Sequence, residues 1–289
     1  MARILTYNVH RCLGSDGRLS PERIAEVIAS AAPDIVALQE LDVGRPRTGG
    51  VDQAGKIAEA LGMTLHFHAA VQVMEEKFGD AILTANPCRL IKTGHLRGKS
   101  LIPNRQARGA LWAEVDIEGE KLQVINTHIG VTARERIAQV NTLIGPEWLA
   151  HPDFRDPALL AGDLNALPLG RTCKLLATQL GGRETAAALD GSLATFPSRM
   201  PVLSIDHVLT SPSVQIVAAE VIRTPLARLA SDHLPLQVDF QLGNSVELTS
   251  RVRKKSKIYR VSLPKRLQSK FDSVASRALA EVDLKVHTA

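Results

Sequence analysis

The chain has 289 residues, 45% of them apolar and 22% charged, which is enough to bury a large core and places it among globular proteins. Aromatic residues make up only 3%, which argues against a module that holds single strands by base stacking. The net charge of +5 is unevenly placed: residues 245–289 carry 11 Lys and Arg against 4 Asp and Glu, leaving 24 against 26 in residues 1–244. The body is slightly acidic, so attraction to a polyanion would reside in the tail.

Cys12, Cys88 and Cys173 are far apart and form no Cys-x-x-Cys pair, which predicts neither a disulfide framework nor a thiolate metal site. Strand-like sequence begins at Ala2 without a basic and then apolar leader, and no apolar run is long enough to span a bilayer. The expectation is a reduced, cytoplasmic protein with no transmembrane segment.

In chain order, Arg3–Val9 reads as a strand, and Ser20–Ser30 as a helix with Ser20 as cap, Pro21 in the first turn and Ile24, Val27 and Ile28 on one face. A strand at Ile35–Leu38, a helix near Gln53–Leu61 and strands at Ala81–Leu83, Ala110–Val115 and Leu122–Thr127 follow. A helix near Arg134–Leu149, a strand at Leu159–Ala161, a helix near Gly170–Gln179 and strands at Ile205–Leu209, Val214–Val221 and Leu234–Phe240 complete the body. A doubly wound parallel sheet needs a helix for each crossover, and there are too few. Two mixed sheets packed together with helices outside fit the pattern.

Composition changes after Gly243-Asn244, dividing a body of residues 1–243 from a basic extension over 244–289. Arg251–Lys257 is a cationic run, Ile258–Leu263 reads as a strand, and Pro264 opens an amphipathic helix. The extension has two readings: an appended helix that docks or frays, or a basic arm for a nucleic acid or an anionic lipid surface.

Polar residues punctuate the strand ends. Asp163 and Asn165 follow the apolar run 158–162, a pattern that suits a turn opener as well as a site. Similar clusters stand at Tyr7-Asn8, Gln39-Glu40, Asn126-Thr127-His128, Asp206-His207 and Ser231-Asp232-His233. Together they supply what phosphodiester hydrolysis needs. Glu40 and Asp232 can be hard ligands for Mg²⁺ or Mn²⁺, and His233 a base oriented by Asp206. Asn8, Asn165 and His128 can donate to phosphoryl oxygens, Asp163 can position water or handle a proton, and Arg108 can add charge. His66-x-His68 reads as a strand edge rather than a metal pair, and no phosphate loop or serine nucleophile elbow is present.

Tyr-Asn-Val-His, Ala-Leu-Gln-Glu, Gly-Asp-Ala-Ile-Leu, Asn-Thr-His, Gly-Asp-Leu-Asn, Ile-Asp-His-Val-Leu and Ser-Asp-His-Leu-Pro occur in that order, and over residues 2–242 the chain resembles the endonuclease/exonuclease/phosphatase superfamily, with its deoxyribonuclease-I-like fold. The resemblance implies an α/β fold of α+β type, a four-layer α/β/β/α sandwich with its site at one edge of the paired sheets. It implies a divalent-metal phosphodiesterase or phosphomonoesterase in which Glu40 is the principal metal ligand, assisted by Asn8 and Asp232. His233 with Asp206 would be the acid/base, Asp163 and Asn165 would serve the nucleophile and transition state, and His128 would contact the phosphate. The tyrosine that abasic-site nucleases of this superfamily carry between the second and fourth motifs is missing, since the only tyrosines are Tyr7 and Tyr259. Thr84 stands where serine is commoner, and Thr195-Phe196-Pro197-Ser198-Arg199 resembles a bacterial subgroup. The expected partner is a phosphodiester, from a nucleic acid by preference or a phospholipid head group. The alternative of another class is a non-catalytic binding module that keeps the fold.

Overall fold

The computed structural model describes residues 1–98, 107–184 and 193–243. The extension expected over 244–289 lies outside the described residues. One six-stranded sheet comprises β1 (Ala2–Asn8), β2 (Ile35–Val43), β3 (Thr64–Val73), β4 (Glu76–Thr84), β11 (Val214–Val221) and β12 (Leu236–Leu242), in the order β11-β12-β1-β2-β4-β3. The second comprises β5 (Cys88–His95), β6 (Gly109–Ile117), β7 (Glu120–His128), β8 (Ala158–Asp163), β9 (Arg183–Glu184) and β10 (Asp206–Thr210), in the order β5-β6-β7-β8-β10-β9. Both are mixed: β1 runs parallel to β2 and antiparallel to β12, and β7 runs parallel to β8 and antiparallel to β6.

Alternation along each strand sorts the core into layers. Leu111, Ala113 and Val115 of β6, Leu122 and Val124 of β7, and Leu159 and Ala161 of β8 pack inward against the first sheet. Their neighbours Ala110, Trp112, Ile125, Ala158 and Leu160 face outward, where α3 (Ala133–Leu143) and α4 (Arg171–Leu180) cover them. On the other side α1 (Pro21–Ala31), α2 (Gln53–Leu61) and α5 (Pro225–Ala230) pack their apolar faces on the first sheet. The result is the expected four-layer α/β/β/α sandwich. All three cysteines are free. No helix among the described residues is long and apolar enough to cross a membrane.

The helix ends follow their sequence signals. Ser20 accepts from the Arg23 amide, with Pro21 in the first turn of α1. A Thr132/Glu135 capping box opens α3. That helix ends at Leu143 rather than Leu149, because Gly145-Pro146 cannot continue it. The periodicity passes over β5 and α5, and of β3 it shows only the strand edge read at His66-x-His68. β3 and β5 are edge strands with several half-buried or exposed residues, and α5 is a six-residue helix capped by Thr224.

Gly162, just before Asp163, is fixed by sterics: it has φ +143°, and a Cβ there would lie 1.8 Å from the Thr127 carbonyl oxygen on β7. Gly162→Ala is expected to destabilise the protein by about 3 kcal/mol, read as a lowered midpoint in urea denaturation. A change within about 0.5 kcal/mol would contradict this account of the β7–β8 contact.

Candidate active site

Register places the polar strand ends in two facing rows. In the second sheet His128, Asp163 and Asp206 are direct lateral neighbours on β7, β8 and β10. In the first, Asn8 on β1 lies beside Gln39 on β2. The rows meet across the sandwich. Asn8 Nδ2 donates to Asp163 Oδ2 at 3.1 Å, Gln39 Nε2 donates to Asn126 Oδ1 at 2.8 Å, and Asn126 Nδ2 donates to the Leu38 and Ala81 carbonyls. Asn8, Gln39, Asn126, His128, Asp163 and Asp206 are all buried.

Strict alternation would send Glu40 outward with Leu38, away from Gln39 and the site. Residues 39 and 40 instead oppose the single residue Asp80 in a β-bulge, and Glu40 takes φ +62°. The left-handed conformation costs a non-glycine residue about 1 kcal/mol or more. The Glu40 amide donates to Asp80 Oδ1 at 3.4 Å, which helps hold the bulge. The bulge re-aims the carboxylate, whose Oε1 lies 3.4 Å from Asn8 Nδ2 and 3.7 Å from His128 Nδ1. Burial opposes its charge, but His128, His10, Arg108 and His233 outweigh that and hold its pKa at about 2. Asp80 is pushed the other way, to about 7, by burial and by the charges of Glu40 and Asp163.

Ser231, Asp232 and His233 come from the turn between α5 and β12, anchored where Ser231 Oγ donates to the Asn8 carbonyl at 2.8 Å. His233 Nδ1 lies 2.8 Å from Asp206 Oδ2, which also accepts from Thr195 Oγ1 at 2.5 Å. His233 Nε2 points toward Asp163 Oδ2, 3.8 Å away. Burial disfavours the imidazolium, yet Asp206, Asp163 and Asp232 together raise its pKa to about 10. Burial and the facing charge of Asp206 push the Asp163 carboxyl up.

Asp163 and Asn165 form a turn and a site at once. Asp163 Oδ1 accepts the Asn165 amide at 2.9 Å, while Oδ2 faces Asn8, His128 and His233. Asn165 Nδ2 donates to the Ile129 carbonyl and lies 3.2 Å from His128 Nε2. Arg108 Nη1 approaches His128 Nδ1 at 3.1 Å. Asp232 is half-buried, its Oδ1 3.9 Å from His10 Nδ1. Asn8 differs from the expected oxygen ligand: its Oδ1 accepts the His10 amide at 3.1 Å, which turns its nitrogen toward Glu40 and Asp163. Thr195, His10 and Gln39 escape sequence reasoning as site residues. Thr195 is separated from Asp206 by eleven positions, and no local pattern joins them.

His66 and His68 lie on the edge strand β3, against β5: His66 Nε2 is 3.2 Å from Cys88 Sγ, and the rings of His68 and His95 are 5.4 Å apart. Burial, with the neighbouring His95, lowers the His68 pKa from 6.5 to about 4. A depressed histidine stabilises the fold above its unfolded value and loses that contribution as pH falls. Relative to His68→Asn, the wild-type protein is expected to lose up to about 1.4 kcal/mol per pH unit between pH 6.5 and 4 in urea denaturation. Parallel pH curves for the two proteins would contradict it.

The Endonuclease/Exonuclease/phosphatase family model matches residues 5–233, and the chain belongs to that family of phosphoester hydrolases. No curated protein matches the chain. Among solved structures, an endonuclease/exonuclease/phosphatase from Beutenbergia cavernae is similar at TM-score 0.67 and 23% identity, over 84% of this chain and 72% of its own. A mannosyl-6-phosphatase from Bacteroides thetaiotaomicron superposes at TM-score 0.67 and 18% identity, over 84% of this chain and 100% of its own. The human Nocturnin catalytic domain does so at 0.62 and 21%, over 83% and 94%. At these identities the structures establish the shared fold.

Proposed function

We propose that this family member is a divalent-metal-dependent phosphodiesterase in which His233 moves the proton of the attacking water. The observation that carries this reading is the line Asp206–His233–Asp163, with Nδ1 held at 2.8 Å and Nε2 left facing the carboxylate cluster. The donors Glu40 and Asp232 are hard oxygens, Glu40 ionised at any physiological pH, and they fit Mg²⁺ or Mn²⁺. Held by Glu40 and Asp232 with the carboxamide of Asn8 beside them, such an ion would offset charge on the phosphoryl oxygens.

The chain's own groups supply the rest. Asp206 accepts Nδ1–H and aims Nε2 at the cluster. The carboxylates favour the imidazolium; with their charge offset by a cation held at Glu40 and Asp232, the neutral ring would be able to take a proton from water. Asp163, whose pKa is raised, can carry a proton to the leaving oxygen. Asn165, His128 and Arg108 line the place where donors to the phosphoryl oxygens are needed. We favour a nucleic acid as the source of the diester, on the strength of the cationic tail. The slightly acidic body favours a second reading, a phospholipid head group or small-molecule diester. The buried His–Asp pair beside an ionised glutamate favours catalysis over a non-catalytic module.

With Mn²⁺, cleavage of bis-p-nitrophenyl phosphate is expected to fall by at least about 100-fold in His233→Ala and in Glu40→Gln, and to stop with chelator. Full activity in both variants would remove the mechanism. Comparing DNA, RNA and anionic vesicles for the full chain and for a chain ending at Gly243 separates the substrate readings. A nucleic-acid substrate requires salt-sensitive binding that weakens on truncation.

A further inference from the structure

His207 is the one polar member of the Ile205-Asp206-His207 motif that the proposed chemistry leaves without a task. Adjacent residues of a strand face opposite ways, so β10 aims Asp206 inward at His233 and His207 outward, into the layer under α4. There its side chain is 1% exposed and that of Glu184 4%, with Nδ1 2.7 Å from Glu184 Oε1. Nε2–H donates to the Ala166 carbonyl at 2.7 Å.

The pair grips the loop that follows β8. Glu184 Oε2 accepts the Leu169 amide at 3.2 Å, and the Cys173 thiol, 3.8 Å from His207 Nε2, points to the Leu167 carbonyl at 3.6 Å. Ala166, Leu167 and Leu169 are thus all tied to one buried cluster. Asp163 Oδ1 closes a local turn on the Asn165 amide, and asparagine tolerates its left-handed φ of 44°. Leu169 at φ 60° is in a conformation its side chain disfavours, so that end of the loop depends on contacts from outside it. Asn165 opens this loop and stands beside His128 on the inner side of the sheet.

A buried ion pair is costly to desolvate, and apolar groups of the same volume pack as well or better. What apolar groups cannot supply is a set of directed hydrogen bonds to a loop. Cys173, Glu184 and His207 also offer ligand atoms within 4.8 Å of one another, but Glu184 meets Nδ1 and Cys173 meets Nε2, opposite edges of a ring whose nitrogens are already engaged. That geometry serves the loop better than it serves an ion.

We propose that the His207–Glu184 pair is a positioning element of the active site, which holds loop 164–170 from behind and thereby sets Asn165 against the substrate phosphate. It rests on the reading of Asn165 as a phosphate-contacting group. The test measures kcat and KM for bis-p-nitrophenyl phosphate with Mn²⁺, together with amide hydrogen exchange over Asn165–Leu169. His207→Phe and Glu184→Gln are each made alone and in an Asn165→Ala background.

In the otherwise wild-type chain kcat is expected to fall about 10- to 100-fold with KM nearly unchanged, and the loop amides to exchange at least about tenfold faster. In the Asn165→Ala background the same substitutions should change kcat less than about twofold, because a residue acting through Asn165 has nothing left to position. Equal losses in both backgrounds, or unchanged loop exchange, would overturn the proposal and leave the pair a packing feature. Glu184→Gln keeps the volume and carries the test if His207→Phe fails to fold. A wild-type protein inactive on the diester would refute the proposed function, while the exchange measurement would still decide whether the pair holds the loop.

Discussion

The site depends on a polar seam between two sheets that are otherwise joined by apolar side chains. At one end of the sandwich Asn8 reaches Asp163 and Gln39 reaches Asn126, each bond crossing from one sheet to the other, and His233, from the turn that leads into β12, reaches Asp206 on the second sheet. Burying a polar group is costly unless it is paired, so each of these bonds fixes the position of both its partners. The apolar alternation further along the same strands holds the sheets in the register that makes those pairings possible. The core and the chemistry are two ends of the same strands.

Electrostatics follow from that packing. Asp163 and Asp206 are direct neighbours across β8 and β10, a like-charge pairing that costs stability in an ordinary sheet. Here burial and then that repulsion raise Asp163, while His233, lying against both carboxylates, is raised in turn. Glu40 stays ionised because His128, His10, Arg108 and His233 surround it. A row of acids with opposed protonation tendencies is the arrangement that divides acid, base and ligand roles among chemically similar groups.

Much of this is legible in the amino-acid sequence. Inner-layer residues show in the alternation of β6, β7 and β8, and the polar punctuation marks the strand ends that converge. The bulge is not legible there. Simple alternation turns Glu40 the wrong way, and only its pairing with Asp80 and its left-handed backbone bring it to the site. Asp163 shows why turn and site readings are inseparable in sequence, since one carboxylate oxygen closes the turn while the other faces the site. Thr195 shows as part of a motif without showing its task, and Glu184 does not show at all, because each acts on a residue of β10 through contacts that no sequence spacing encodes. The edge strand β5 escapes, and β3 shows only at His66-x-His68, because their weak burial leaves weak alternation.

Anomalous diffraction from crystals soaked in Mn²⁺ tests most directly whether the seam builds a cation-assisted phosphoester site. An anomalous peak coordinated by the Glu40 carboxylate is expected, with none at Cys173, Glu184 and His207. No peak at Glu40 under saturating Mn²⁺, or a peak only at the cluster behind the sheet, would contradict it.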